Sequence, residues 1–366
     1  MDLRDAIVLS LVPGLSHRRL AERFRGGAGE TDTFREALRA SARRPIDPRV
    51  IETSMCAADE ALDRAARHTI IPLVLGSNRY PPALETIGDP PIVLWFRGRH
   101  EAFDGPAVAI VGARAATPYA RDVSARLGTE LAQRGVRVIS GLARGVDVAA
   151  HSGALHSTAD ICTVAVLGSG IDVMYPAEHA KIAEAIIRRG AIVSEFAPGT
   201  PPRPEHFPQR NRIISGLSRA TVVVEASERS GALITADYAL DQGREVLAVP
   251  GNVLTGRNRG AHGLLRDGAK IVEDADDILE ELELQTSGWH VNRKAGGTTA
   301  ARDPLLRSMT PGELYELDDL ANEMATDPVS LLPRLLELEL AGHVRREGAQ
   351  FVRSASARRG DRFALK

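Results

Sequence analysis

Short apolar runs alternate with amphipathic segments in the middle of the chain, from about residue 72 to residue 282. The apolar runs lie at 92–96, 107–111, 136–140, 163–167, 191–194, 221–225, 246–249 and 270–272. Helical spacing of apolar residues marks the segments 119–134, 178–189 and 231–242. Strands that alternate with helices indicate βαβ units, and continuous apolar runs indicate strands buried on both faces. The pattern therefore predicts an α/β domain with a doubly wound, mostly parallel sheet.

Residues 1–70 have the pattern of a small helical domain. Apolar residues recur at helical spacing from Leu3 to Leu11, and a Pro-Gly turn follows. A second amphipathic stretch then begins at Ser16, which is a suitable N-cap. Two helices joined by such a turn resemble the helix-hairpin-helix and SAM-like modules that approach DNA backbones. A plain helical cap on the next domain is the alternative.

The C-terminal part of the chain differs again. Residues 283–303 are small and polar, which predicts a linker. Helices are then expected at 313–324 and 328–341, followed by a two-stranded wing that turns at Gly348. This order predicts a winged-helix domain over residues 304–366. Its tail is basic and the helix before the wing is acidic, so the module could contact either DNA or a protein partner.

Composition restricts the classes of function. The chain has 366 residues, enough for two or three domains, and a formal net charge of −2, so any nucleic-acid site must be a local patch. Cys56 and Cys162 are far apart, which fits two buried thiols in a reducing cytosol. No apolar run approaches the ~18 residues of a membrane helix, and acidic residues near the start are unlike a signal peptide. A cytoplasmic protein without membrane contact is expected.

The loops after the predicted strands are the candidate site, because ligands of a doubly wound sheet bind outside the carboxyl ends of its strands. Five successive loops contain glycine or serine, and several contain arginine. Glycines let a phosphate approach the backbone, and arginine binds phosphate through two hydrogen bonds. The candidate residues are Gly112, Gly141, Gly168, Gly170, Arg114, Arg144, Arg210 and Arg212. Together they predict a surface for a phosphate-rich ligand.

Motifs of other chemistries are missing. The first loop lacks the GxGxxG pattern, and no GxxxxGK[ST] or HExxH motif occurs, so neither a cofactor nor a metal is expected. No histidine base is placed beside a serine of the glycine loops, and no catalytic residue is predicted. Glu195, Glu225 and Asp237 are candidates for an acidic group at the strand edge. Helix capping and pairing with the arginines is the alternative for these three residues.

At these loops the chain resembles the DprA/Smf family of DNA-processing proteins. The most specific block is FPQRNRIISGLS at 207–218. Further matching blocks, in the family's order, are VGAR at 111–114, SGLARGVD at 140–147, AVLGSG at 165–170, VEA at 224–226, SGALITA at 230–236 and PGN at 250–252. The resemblance covers roughly residues 72–282, and the flanking helical and winged-helix modules also match a common layout of the family.

The resemblance implies an extended Rossmann-like domain and a function without catalysis. Family members bind single-stranded DNA, form homodimers through this domain, and help to load RecA recombinase during natural transformation. Single-stranded DNA, RecA and a second copy of the chain are therefore the expected partners.

The resemblance also assigns roles to individual residues. Arg114 is expected to contact phosphate, although Ala113 replaces the family's usual hydroxyl residue, which removes at most one hydrogen bond of about 1 kcal/mol. A lysine often precedes the FPxRNR block in this family, and here the nearest basic residue is Arg203. Phe207 either stacks on a base or fills the core below the loop.

Arg210 and Arg212 begin the next predicted helix. We expect at least one of them to face the ligand, while the other fixes the loop by pairing with Glu195 or Glu225.

Two other functions stay open. A nucleotide phosphoribohydrolase would use a similar sheet, but its PGGxGTxxE motif is not reproduced at residues 230–237. A nucleotide-sensing adaptor would bind a small ligand in the same loops and use the winged helix as its output. Saturable mononucleotide binding without affinity for oligonucleotides would favour the adaptor.

Overall fold

The computed structural model describes residues 2–25, 33–42, 44–283 and 303–354. The N-terminal domain is helical, and its described helices are α1 (Leu3–Leu11), α2 (His17–Arg25), α3 (Phe34–Ser41) and α4 (Pro48–Arg67). The expected N-cap is present, because Ser16 Oγ accepts a hydrogen bond from the Arg19 N–H (3.4 Å). The Leu3–Leu11 periodicity buries Ile7, and α1 packs against α4.

A nine-stranded sheet forms the centre of the molecule. Its strands are β1 (Ile71–Val74), β2 (Val93–Gly98), β3 (Ala107–Val111), β4 (Arg137–Ser140), β5 (Thr163–Val166), β6 (Gly190–Ser194), β7 (Ala220–Val223), β8 (Glu245–Ala248) and β9 (Lys270–Ile271). Their order is β1-β2-β6-β5-β4-β3-β7-β8-β9. Strands β3 to β9 pair in parallel, whereas β2 is antiparallel to β6 and β1 to β2.

This strand order fixes where a ligand can bind. The chain builds β3, β4, β5 and β6 in one direction and then returns to place β7 on the other side of β3. The loops after β3 and β7 therefore diverge at a topological switch point, which opens a crevice at their carboxyl ends.

Helices cover both faces of the sheet, and apolar side chains fill the two layers between them. These helices are α5 (Pro82–Glu85), α6 (Pro118–Gln133), α7 (Val146–His156), α8 (Ala180–Arg188), α9 (His206–Gly216), α10 (Gly231–Asp241), α11 (Arg259–Arg266) and α12 (Ala275–Glu281). Helices α6 and α7 approach very closely at Gly128 and Gly153, where a Cβ atom would lie 2.3 Å and 1.9 Å from a carbonyl oxygen of the facing helix.

The C-terminal domain is a winged helix. It contains α13 (Pro304–Ser308), β10 (Leu314–Tyr315), α14 (Leu317–Glu323), α15 (Pro328–Leu340), β11 (Val344–Glu347) and β12 (Gln350–Arg353). Gly348 turns the wing with a φ of 66°. The wing contacts α6, because Arg345 donates to Asp122 (3.1 Å) and Arg121 forms an ion pair with Glu347.

The structure confirms the predicted doubly wound, mostly parallel sheet and its eight strands to within one or two residues at most ends. It corrects two other expectations. Residues 313–324 are not one helix, because Leu314–Tyr315 pairs with β12 and only Leu317–Glu323 is helical. Cys56 is exposed, since it lies on the outer face of α4, whereas Cys162 is buried. The predicted linker, apart from its end residues, and the last part of the basic tail lie outside the described residues.

Candidate nucleic-acid interface

A cavity of about 610 Å³ lies at the switch point, between the loop after β3 and the start of α10. Its walls come from segments that are far apart in sequence: residues 111–114, 202–204, 207–211 and 227–235. Most of these segments belong to the glycine- and arginine-containing loops that the sequence indicated. The structure therefore brings them together at one edge of the sheet.

Arg114 and two aromatic rings occupy one wall of this switch-point cavity. The guanidinium carbon of Arg114 lies 4.9 Å from the centroid of the Phe207 ring. The centroid of the Tyr175 ring lies 5.6 Å from that of the Phe207 ring. Arg114 is exposed, Phe207 is half-buried, and Tyr175 is 43% exposed. The Phe207 ring thus lies beside both a cation and a second aromatic ring, and both of these neighbours reach solvent.

Phe207 also rests on the floor of the loop after β5. A Cβ atom at Gly168 would lie 3.1 Å from the Phe207 ring. The absence of a side chain at Gly168 therefore leaves space for this ring. The packing alternative therefore describes part of the Phe207 ring, while another part of the ring lines the cavity.

Arg210 forms the buried floor of the cavity. Its guanidinium donates to the carbonyl oxygens of Gly141 (2.6 Å) and Val166, and it lies 3.8 Å from the Asp147 carboxylate. Burial lowers the pKa of Arg210 to about 10 and raises the pKa of Asp147. Gly141 leaves room for this guanidinium, since a Cβ atom there would lie 2.0 Å from it and would displace it.

Arg212 lies away from the cavity, although it is only two positions further along α9. It is 4% exposed and forms two hydrogen bonds with Glu195, both 2.7 Å long. Burial lowers the pKa of Arg212, but the attraction of the Glu195 carboxylate outweighs this effect and raises the pKa above its ordinary value. This ion pair anchors α9 to the loop that follows β6, so Arg212 is the arginine that fixes the loop.

The remaining candidates occupy three different positions. Gly112 lines the cavity, and a Cβ atom there would lie 2.6 Å from Val146 at the start of α7. Gly170 lies deeper, where its N–H donates to Thr200 (2.9 Å) below the loop that contains Arg203. Arg203 is exposed and lines the cavity. Arg144 is exposed outside the cavity lining and is paired with Glu178 (2.6 Å).

The three acidic candidates do not form a common group. Glu195 pairs with Arg212, and Asp237 is exposed on α10. Glu225 accepts a hydrogen bond from the Thr117 hydroxyl (2.5 Å), and Thr117 caps α6. The capping and pairing alternative therefore describes Glu195 and Glu225.

Sequence reasoning missed two polar contributors to the cavity. Tyr175 lies in a loop outside any strand-end glycine motif, and only the fold brings it beside Phe207. Asn211 lies within the FPQRNR block, and its amide donates to the Gly231 carbonyl (3.3 Å), which ties α9 to α10. The position of Asn211 between the candidates Arg210 and Arg212 was the feature of the sequence that could have indicated its place in the cavity.

Within the part of the chain that the structure describes, no helix is both long and apolar enough to cross a membrane. In the same part, no three His, Cys, Asp or Glu side chains are grouped to hold a metal ion.

The fold and the cavity define a Rossmann-like protein with a ligand crevice at its switch point and a winged helix beside it. Two family models match it: "DNA recombination-mediator protein A" over residues 72–283 and "DprA winged helix domain" over residues 292–350. The chain belongs to the DNA recombination-mediator protein A family, as the DprA/Smf resemblance indicated.

Individual relatives agree with this membership. Protein Smf of Escherichia coli is 38% identical over 314 residues, which are 83% of this chain and 80% of that protein. DNA processing protein DprA of Streptococcus pneumoniae is 41% identical over 205 residues, 56% of this chain and 72% of that protein.

Two solved structures resemble the fold. The X-ray structure of DprA from Streptococcus pneumoniae has a TM-score of 0.68 at 32% identity and covers 77% of this chain and 99% of its own. A DprA structure from Helicobacter pylori, described by its single-stranded DNA binding mode, has a TM-score of 0.53 at 29% identity. The match covers 58% of this chain and 95% of the Helicobacter pylori chain.

Proposed function

We propose that this protein binds single-stranded DNA in the switch-point cavity and catalyses no reaction. The observation behind the proposal is the exposed Arg114 guanidinium stacked on Phe207 at the cavity wall. Single-strand binding without sequence preference needs a cation for the backbone and an aromatic face for a base, and this pair supplies both. The similarity to the Helicobacter pylori protein, which is described as binding single-stranded DNA, supports the same ligand.

In this proposal the ten predicted site residues have different roles. Arg114 and Arg203 contact phosphates, Phe207 stacks on a base, and Gly112 lets the strand approach the backbone. Gly141, Gly168, Gly170, Arg210 and Arg212 hold the walls and the floor in place. Arg144 lies outside the cavity lining and acts only through its positive charge. The Glu178 carboxylate, which pairs with Arg144, offsets most of that charge.

The downstream function is also a proposal. We infer that the bound strand is delivered to RecA recombinase in DNA recombination and natural transformation, because the chain belongs to a recombination-mediator family. RecA is therefore the expected protein partner.

We also propose that the protein is a homodimer formed through its Rossmann-like domain. Large apolar side chains are exposed at Val253 (74%), Leu254 (91%) and Ile271 (56%), and all three lie in the last part of this domain. Ile271 lies in β9, an edge strand of the sheet, and an exposed strand edge is a place at which another chain can pair. Sedimentation of an Ile271→Lys, Leu254→Lys variant tests this, and a dimer as stable as that of wild type would contradict the proposed surface.

Fluorescence anisotropy of a labelled single-stranded oligonucleotide over a salt series tests the DNA proposal. We expect tighter binding of the single strand than of its duplex and a log–log salt slope of about −0.7 per phosphate contacted. Arg114→Ala should weaken binding roughly 10- to 150-fold, since a hydrogen bond to a charged group contributes about 1.5–3 kcal/mol.

Arg188→Ala is the matched control, because Arg188 is an exposed arginine at the end of α8, on the opposite edge of the sheet. Its affinity should equal that of wild type. Wild-type protein that fails to bind single strands at low salt would overturn the proposal. Binding or hydrolysis of a nucleoside monophosphate by such a protein would instead favour the adaptor or the phosphoribohydrolase.

A further inference from the structure

Helix α15 of the winged helix exposes a stripe of large apolar side chains to solvent. Its other face is buried, with Leu331, Leu335 and Leu338 in the core of the domain. The exposed positions are Val329 (70%), Leu332 (42%), Leu336 (56%) and Leu340 (82%). Spacings of three and four residues align these four positions along one side of the helix, over about 16 Å at 1.5 Å per residue. We call them the α15 stripe.

The segment of the chain that contains the α15 stripe is strongly acidic, and Glu337 and Glu339 flank the stripe on α15 itself. Residues 313–341 contain eight acidic residues and one basic residue, which gives a net charge of −7 (one minus eight). The acidic residues are Glu313, Glu316, Asp318, Asp319, Glu323, Asp327, Glu337 and Glu339. Arg334, the basic residue, forms ion pairs with Asp303 and Glu337, so its charge is offset.

These features oppose DNA binding by α15. In DNA-binding members of this class the second helix of the helix-turn-helix enters the major groove. Here the carboxylates of Glu337 and Glu339 beside the stripe would repel the phosphates, and leucines cannot form the hydrogen bonds that read base edges. Arg345 in the wing is also engaged, because it pairs with Asp122 of α6 and with Glu347.

We propose that the α15 stripe is a docking site for a protein partner that presents an amphipathic helix with lysine or arginine beside its apolar face. An apolar stripe of three turns fits the i, i+4, i+7 anchors of such a helix, and the acidic border complements basic flanks. The site lies outside the switch-point cavity, so this proposal is independent of single-stranded DNA binding.

Binding of designed peptides to the full-length protein tests the proposal. The first probe is a labelled 18-residue peptide with leucines along one helical face and lysines elsewhere. The second has the same composition with its leucines distributed around the helix, and the third has glutamate in place of lysine. We expect the first peptide to bind at least tenfold more tightly than either of the others.

Surface variants locate the binding site. Leu332→Gln with Leu336→Gln should weaken binding of the first peptide at least tenfold, and Glu337→Lys with Glu339→Lys should do the same. Leu240→Gln is the control, because Leu240 is 59% exposed on α10, in another domain. Circular dichroism checks that each variant is folded, and none should change the affinity for single-stranded DNA.

Three results would overturn the proposal. One is affinity for the first peptide that does not depend on the arrangement of its leucines or on Leu332 and Leu336. Another is duplex DNA binding that Leu336→Gln weakens and Leu240→Gln does not, which would assign the stripe to nucleic acid. The third is self-association that Leu336→Gln abolishes while the peptide fails to bind, which would assign the stripe to a second copy of the chain.

Discussion

Arg210 and Arg212 differ by two positions on one helix, yet their surroundings are different. Arg210 lies below the switch-point cavity and donates to two carbonyl oxygens. Arg212, on the other side of α9, forms an ion pair with Glu195. A helix turns by about 200° over two residues, so neighbouring arginines of one motif must point in different directions. Exposed cations at the cavity wall therefore come from Arg114 and Arg203 rather than from α9.

Phe207 is the residue at which base stacking can be measured. Phe207→Ala should weaken single-strand binding by about 1–3 kcal/mol, because it removes an aromatic face. Phe207→Tyr should retain most of the affinity. Anisotropy with an oligonucleotide that contains abasic sites provides the comparison. If Phe207→Ala weakens binding of abasic and normal strands equally, Phe207 serves only to pack the loop.

His151 makes the stability dependent on pH. It is fully buried, its Nδ1 lies 2.7 Å from Thr163 Oγ1, and burial lowers its pKa to about 3. Thr163 Oγ1 donates to the Val138 carbonyl and therefore accepts from His151, which leaves Nε2 without a proton. The folded protein resists protonation of His151 at acidic pH.

The pKa of His151 is depressed in the folded state. The contribution of His151 to stability is therefore fully present above about pH 6.5 and is lost as the pH falls. The loss reaches about 2 kcal/mol at pH 5. Urea unfolding at pH 7 and pH 5 should show a smaller difference between the two pH values for His151→Gln than for wild type. An unchanged difference would mean that other groups cause the dependence.

At the scale of elements, the Arg212–Glu195 pair holds α9 to the loop after β6. Glu195→Gln should lower the free energy of unfolding by up to about 3–5 kcal/mol, because buried Arg212 then keeps only the more exposed Asp89 carboxylate (3.3 Å) as a counter-charge. Glu184→Gln is the matched control, since Glu184 pairs with Arg97 (3.2 Å) at the surface and such pairs contribute about 0–1 kcal/mol.

The two variants also separate folding from ligand binding. Below the unfolding temperature, Glu195→Gln should bind single-stranded DNA within a few-fold of wild type, since Arg212 does not line the cavity. A large loss of affinity in a folded Glu195→Gln protein would place Arg212 at the ligand.

At the scale of the whole molecule, the N-terminal domain braces the loop that contains Arg203. Arg64 of α4 donates to Asp172 (2.7 Å), and Asp172 accepts from the Gly199 N–H (2.8 Å). Burial raises the pKa of Asp172, but the hydrogen bonds from Gly199 and Arg64 outweigh it and hold the pKa below its ordinary value. Helix α4 thus connects the first domain to the cavity wall.

Arg64→Met should loosen this loop. We expect faster hydrogen exchange in the peptide that contains Gly199, roughly tenfold for the loss of about 1.5 kcal/mol. Single-strand affinity should decrease slightly, because Arg203 is less well positioned. Arg4→Met is the control, as Arg4 pairs with Asp59 (2.6 Å) within the N-terminal domain. Equal exchange in both variants would show that α4 does not brace the loop.

The sequence by itself determined the architecture and the edge at which the site lies. Buried parallel strands must be apolar throughout, so runs such as Ala107–Val111 were visible directly. Glycine and arginine after successive strands located the ligand edge, because parallel strands end on one side. Helix α7 was not predicted, since a buried helix lacks an amphipathic pattern. Helix α9 was expected to begin at Arg210, whereas it begins at His206.

Only the tertiary structure decided which side chains line the cavity. Tyr175 reaches Phe207 from a distant loop, Arg212 turns inward to Glu195, and Arg144 pairs with Glu178 outside the cavity. The tertiary structure also decided the antiparallel pairing of β1 with β2 at the edge of the sheet, because this pairing depends on long-range contacts. The physical reason is that a side chain's direction and partners are set by packing between segments, whereas local patterns record only burial and backbone preference.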